Sequence, residues 1–168
     1  YLETIGGGFG ARATKDGLDG VHVHLTNTSN LPVEALETEY PLILERYELV
    51  DGSGGAGRPR GGMGLFRQGR IGGHGVRPYI HGSRFSRGPW GLFGGKEGGC
   101  ARFEFSNGVE FPAKARAVIR DGQRVFITTP GAGGYGDPKA RDRALVRRDL
   151  AEGRISAAAA REVYGLAD

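Results

Sequence analysis

The sequence predicts an α+β fold: mostly antiparallel β-structure with glycine-rich loops, closed by a C-terminal helical hairpin. Three observations lead to it. Short runs with apolar residues at alternate positions recur along most of the chain and stop at glycine or proline. Glycine fills 32 of 168 positions, several times the roughly 7% of an average protein. Beyond residue 137 the spacing becomes helical and capping residues appear. Glycine loses the most backbone entropy on folding, so such a load is tolerated where turns, bulges or close backbone approaches need it, and many loops between short strands are expected. The length fits one ordinary domain, with a glycine-rich β region over 1–137 and the helical hairpin over 138–168.

Residues 1–30 read as extended pieces joined by glycines. Within them Val21-His22-Val23-His24-Leu25 has strand alternation, which would put His22 and His24 on one face. Val33, Leu36 and Tyr40 suit a short helix after Pro32, stopped by Pro41. A strand follows over 42–50, a glycine and arginine loop over 51–64, and strand-like runs over 64–71, 76–85 and 101–111, with a hairpin turn at Asn107-Gly108. The runs 115–119 and 125–129 read as a strand pair joined at Asp121-Gly122. Asp137 and Pro138 form an N-cap and first helical position, because the carboxylate accepts free amide hydrogens and proline needs none. Gly153 would end that helix, Ser156 would cap a second, and Gly165 would close it.

The single cysteine, Cys100, excludes an internal disulfide and a cysteine-based zinc site and fits a reducing compartment, so a cytoplasmic location is expected. No run reaches the roughly 20 apolar residues that span a bilayer, and the opening residues lack a secretory layout; no membrane partner is expected. A β-like run is already under way at Tyr1, which suggests that upstream material was removed or lies on another chain. Residues 1–57 hold 3 basic and 9 acidic groups, whereas 58–102 hold 9 basic groups and one acid, Glu97. Such a basic stretch reads as a surface for an anion: nucleic acid, a phosphate-bearing substrate or an acidic subunit.

Several motifs fail on context. Gly8-Phe9-Gly10-Ala11-Arg12-Ala13 fits a dinucleotide fingerprint, but the polar, glycine-broken stretch after it starts no helix to receive a pyrophosphate. Ser53 lacks the glycine two residues earlier that a nucleophile elbow needs. Cys100 has no base beside it in sequence. His22 and His24 are too few to close a metal site, so hydrogen-bonded histidines lining a cleft are the simpler reading. The aromatics Phe66, Tyr79, Phe85, Trp90 and Phe93 among arginines resemble a nucleic-acid platform, yet no nucleic-acid module motif accompanies them, and no nucleic-acid partner is expected. Arg141, Arg143, Arg147 and Arg148 read as a solvated helix face with Asp149 and Glu152 as local partners.

The glycine-rich stretches, taken together, resemble the hydantoinase B/5-oxoprolinase family. They are Tyr1-Leu2-Glu3-Thr4-Ile5-Gly6-Gly7-Gly8, Gly20-Val21-His22-Val23-His24-Leu25-Thr26-Asn27-Thr28, Arg46-Tyr47-Glu48-Leu49 and Gly52-Ser53-Gly54-Gly55-Ala56-Gly57-Arg58. Gly61-Gly62-Met63-Gly64, Trp90-Gly91-Leu92-Phe93-Gly94-Gly95 and Thr129-Pro130-Gly131-Ala132-Gly133-Gly134-Tyr135-Gly136-Asp137-Pro138 follow in consistent order. The stretch 72–89 departs from the pattern.

The resemblance implies the C-terminal portion of a B subunit. It would belong to an ATP-dependent complex that hydrolyses small cyclic amides (hydantoin, 5-oxoproline or another lactam), and the chain alone is expected to be inactive. ATP with magnesium would sit on a hydantoinase A-like partner subunit. A divalent metal would sit in the remainder of the B subunit, with no metal ligands in this chain. Phosphorylating the amide oxygen would remove the nitrogen's donation and leave a group that water displaces. Relatives that carboxylate acetone or acetophenone make an ATP-dependent ketone carboxylase the alternative, and a non-catalytic assembly module a third. Within the chain, His22, His24 and Asn27 are expected to face the reaction cleft as positioning or proton-transfer groups. Arg58 and Arg60 are expected to hold phosphate or to dock the A subunit.

Overall fold

A computed structural model describes residues 1–73, 76–108, 110, 114–116 and 118–166. Apolar alternation produces strands where it was expected in the middle of the chain. β1 (Leu42–Leu49), β2 (Leu65–Ile71), β4 (Arg102–Phe105) and β6 (Arg124–Thr128) form one antiparallel sheet in the order β1-β2-β6-β4. A second, two-stranded sheet pairs β3 (Tyr79–His81) with β5 (Lys114–Arg116). Alternate side chains of the larger sheet point inward, so Ile71, Phe103, Phe105 and Val125 close on Ile119 in the main core. Phe103 and Phe105 meet edge to face at 5.4 Å.

Three strand expectations change. The runs over 115–119 and 125–129 do not pair, because β5 joins β3 while β6 lies between β2 and β4. The run over 76–85 shortens to β3, with Val76 bridging Ile119. The run over 101–111 ends at Phe105; Gly108 at φ +79° makes the expected turn, and Glu110 returns opposite Glu104. Residues 109, 111 and 117 of these runs lie outside the described residues. α1 (Val33–Glu39) forms as expected after Pro32.

The glycines do something other than make loops. Stretches near 6–10, 17–20, 53–64, 88–99 and 130–136 run side by side and exchange backbone hydrogen bonds outside any regular ladder. Phe9 N donates to Leu18 O at 2.8 Å, Gly62 N to Phe9 O at 3.0 Å, Ala132 N to Gly62 O at 2.9 Å and Gly134 N to Lys96 O at 3.0 Å. The backbones approach closely enough that a Cβ on Gly62 would sit 1.9 Å from Leu18 O, and one on Gly131 1.8 Å from Ser53 O. Close approach, more than turning, accounts for the composition. Ser53 ties this bundle to the sheet: its hydroxyl donates to Val50 O at 2.6 Å and accepts from Gly64 N at 2.9 Å.

The helical tail is also cut differently. Asp137 caps only a 3-10 turn (Pro138–Ala140), Arg141 is extended, and Asp142 caps α2 (Arg143–Ala151) by accepting from Ala144 N. Gly153 at φ +73° ends α2, and Ser156 caps α3 (Ala157–Glu162). Val146, Ile155, Ala160 and Tyr164 form a second small core, with Ala56 of the glycine bundle packed against it.

The break at residue 141 coincides with a buried ion-pair network. Arg141 is only 2% exposed. Its guanidinium grips both Asp16 carboxylate oxygens at 2.7 and 2.8 Å and donates to Asp149 at 2.7 Å and Arg58 O at 2.8 Å. The expectation of a solvated arginine face therefore fails for Arg141 and Asp149, both buried, while Arg143, Arg147 and Arg148 are exposed.

Candidate functional site

The expected histidine face is built by a turn instead of a strand. Val21 makes a single bridge to Gly7, and the chain then coils into a 3-10 turn (His24–Thr26). Thr26 Oγ1 donates to Val23 O at 2.9 Å and Asn27 N to His24 O at 3.2 Å. His24 sits at φ +56°, a left-handed conformation costly for a residue with a Cβ. Strict alternation is thereby lost. His22 is half-buried, and both its ring nitrogens are covered without a hydrogen-bond partner. His24 and Asn27 are exposed. His22 thus precedes the turn with its ring nitrogens covered, while His24 and Asn27, in and just after it, are exposed.

Buried imidazole nitrogens are normally satisfied. Those of His22 have no partner among the described residues. Among the described residues, no group of three or more His, Cys, Asp or Glu could hold a metal ion.

Arg58 and Arg60 part company. Arg58 is exposed; it donates to Ala13 O at 3.0 Å and lines an open groove with Lys15, Asp16, Ala140, Asp142 and Leu145. Arg60 is 3% exposed and faces inward, donating to Asp19 at 3.1 Å and Gly61 O at 2.7 Å, with Asp149 at 3.7 Å. Arg60, Arg141 and Arg154 thus interleave with Asp16, Asp19 and Asp149 in one network, with Arg154 paired to both Asp19 and Glu152. Burial pushes the Asp16 and Asp19 carboxyls up, but hydrogen bonds from Arg141 and from Arg60 respectively bring both below the usual aspartate range. The network staples the C-terminal helices to the glycine bundle. Sequence reasoning missed it, since its members are spread from residue 16 to residue 154.

A second polar cluster lies at the N-terminal end. Arg67, 6% exposed, pairs with Glu3 and stands over the Tyr47 ring at 5.5 Å; Tyr1 donates to Glu3, and Asn30 to Tyr47 Oη at 2.8 Å. Burial, reinforced by Glu3, pushes the Tyr1 phenol up to about 12.

Fold and site together define an α+β unit built on a glycine bundle. It presents, at the surface, the turn that carries His24 and an open groove of mixed charge lined by Lys15, Arg58, Asp16 and Asp142. The chain belongs to the hydantoinase B/oxoprolinase family, whose model matches residues 1–138. It is 41% identical over 167 residues to an uncharacterised protein of Methanocaldococcus jannaschii, covering 98% of this chain and 30% of that protein. It is 37% identical to 5-oxoprolinase 1 of Arabidopsis thaliana (81% of this chain, 11% of the relative) and 32% identical to the caprolactamase subunit beta of Pseudomonas jessenii (80% and 24%). The crystal structure of the ATP-dependent caprolactamase from P. jessenii superimposes with a TM-score of 0.84 at 26% identity, over 98% of this chain and 30% of that one. The chain spans less than a third of the length of each of these relatives.

Proposed function

We propose that the chain is part of an ATP-dependent hydrolase of cyclic amides. Hydantoin, 5-oxoproline or a related lactam would be the substrate, within an assembly that contains an ATP-binding A-type subunit and the rest of a B-type subunit. The observation that carries this reading is the family match over residues 1–138. The relatives add support, because 5-oxoproline and caprolactam, named in them, are both ring amides and one relative is described as ATP-dependent. An amide resists water because its nitrogen donates into the carbonyl, so coupling ring opening to ATP is chemically reasonable. Among the described residues, no helix begins after Gly8-Phe9-Gly10 and no group of three or more His, Cys, Asp or Glu is gathered. In this reading ATP with magnesium sits on the partner subunit and a divalent metal in the remainder of the B-type subunit, as the family resemblance implies.

In this reading His22 handles a proton, since an imidazole can accept at one nitrogen and donate at the other. His24 and Asn27 position the substrate at the mouth of the turn. Arg58 offers a free guanidinium edge to an oxyanion or a partner carboxylate, while Arg60 supports the loop from below. The test is turnover by the complete assembly given ATP and, in separate reactions, 5-oxoproline, hydantoin, caprolactam and acetone with bicarbonate. ATP-dependent appearance of a ring-opened acid is expected, and His22→Ala should lower kcat at least about tenfold with assembly unchanged. Carboxylation of acetone with no ring opened would defeat the proposal.

A further inference from the structure

The buried ion-pair network leaves part of itself unpaired. Arg60, Arg141, Asp149 and Tyr164 are each at most 3% exposed. Each nevertheless carries a covered polar atom without a hydrogen-bond partner: Arg60 Nε, Arg141 Nε, Asp149 Oδ1 and Tyr164 Oη. A buried polar group left unpaired bears its full desolvation cost, more so when it is charged, and protein interiors rarely tolerate one.

The four side chains belong to one cluster. Asp149 Oδ2 accepts from Arg141 Nη2 at 2.7 Å, and Arg60 Nε stands 3.7 Å from the carboxylate's same oxygen, beyond hydrogen-bond reach. Tyr164 joins them: burial pushes its phenol up, and the charges of Arg141, Asp149 and Arg60 all act on it, while the Gly57 amide approaches the phenol oxygen. The guanidinium ends are committed elsewhere. Arg60 Nη1 donates to Asp19 and Gly61 O, and Arg141 to Asp16, Arg58 O and Asp149.

Nothing outside the chain can complete this cluster. Its side chains are sealed by the chain's own atoms, so neither the remainder of a larger subunit nor a partner reaches them. The chemistry of the four atoms then selects the occupant. Two Nε–H groups and a phenol offer hydrogens, and one carboxylate oxygen accepts them. That oxygen has about two acceptor positions for three donors, so closing the four atoms directly on one another leaves a donor unmet. A cation would face two guanidinium groups, and an anion the free oxygen of Asp149. Water suits both sides: it accepts twice and donates to the carboxylate, and interior waters make about three such bonds to groups otherwise unpaired.

We propose that one water molecule is sealed between Asp149 Oδ1, Arg60 Nε, Arg141 Nε and Tyr164 Oη, as a fixed part of the joint between the C-terminal helices and the glycine bundle. Arg60 lies in the bundle, Asp149 on α2 and Tyr164 just past α3, so the water ties three segments together. It is independent of the assembly and the reaction proposed above.

The test is a crystal structure of the protein, in whatever assembly it purifies with, at a resolution that shows ordered water. A second crystal is soaked in sodium bromide and measured at the bromine absorption edge. One peak within about 3.2 Å of Asp149 Oδ1 and of at least two of the three donors, without anomalous signal, is expected. Direct bonding of Asp149 Oδ1 to a guanidinium or to the phenol, with no peak between them, overturns the proposal, as does anomalous bromide density at the site. In Tyr164→Phe the water keeps three partners and should stay in place, with Tm lower by about 2–4 °C. A Tyr164→Phe protein that folds but loses the peak also counts against it.

Discussion

Gly62→Ala tests whether glycine serves close packing in this chain. The added Cβ would lie 1.9 Å from Leu18 O, 2.6 Å from Leu18 C and 2.9 Å from Phe9 N, whereas real Cβ atoms essentially never approach within 3.0 Å. The contacts are backbone, so no side chain can swing away; the segment over 17–20 must retreat by about 1 Å from the close-packed glycine bundle. That segment is held by Gly17 N to Arg60 O at 2.7 Å, Gly20 N to Met63 O at 2.9 Å and Phe9 N to Leu18 O at 2.8 Å. Three weakened bonds at about 1 kcal/mol each, with some buried groups left unpaired, put the loss at about 3–6 kcal/mol. A typical domain has only about 5–15 kcal/mol to lose. Gly10→Ala is the control: nothing lies within 4 Å of its Cβ position, and it should be neutral or stabilising by about 0.4–1 kcal/mol through the unfolded chain. Urea denaturation followed by circular dichroism measures both. A Gly62→Ala midpoint indistinguishable from that of Gly10→Ala would refute the close-packing explanation.

Arg141→Met keeps most of the side-chain volume but strands fully buried Asp149 and leaves Asp16 without its bidentate partner. A loss of about 3–5 kcal/mol is expected, a fall in Tm of roughly 6–20 °C for a chain of this size; calorimetry within 2 °C of wild type would contradict it. Asp16 and Asp19 titrate below their usual range when folded, so their contribution is fully present above the unfolded value near pH 3.9 and drains away as pH falls through the lower folded value. Glu45, drawn to about 2 chiefly by the Arg124 hydrogen bond, acts in the same direction. The urea midpoint should therefore hold from pH 7 to about 5 and drop below about 4, and Asp19→Asn should reduce the drop; a midpoint at pH 3 equal to that at pH 7 would count against the network.

Much of the frame was legible because it depends on neighbours in sequence. Period-2 runs gave β1, β2 and β6 nearly to the residue, Pro32 and Pro41 bracketed α1, and Ser156 and Gly165 marked the ends of the last helix. The candidate site was legible only as residue types. The alternation of Val21-His22-Val23-His24 promised a shared face, but a 3-10 turn with His24 in the left-handed region breaks it, leaving His22 with covered ring nitrogens and His24 exposed. Local pattern cannot register that the partner strand is absent beyond Val21.

By itself the sequence determined the α+β class, the family, and the places where backbone must turn or pack closely, because capping, alternation and glycine content act over a few residues. Tertiary structure decided the rest. It made Arg60, Arg141 and Asp149 an internal staple instead of a solvated surface, sent β5 and β6 to different sheets, and left Trp90 and Phe93 exposed. A charge or an aromatic ring takes its role from what surrounds it in space, and in this chain those surroundings come from residues as far apart as 16 and 141.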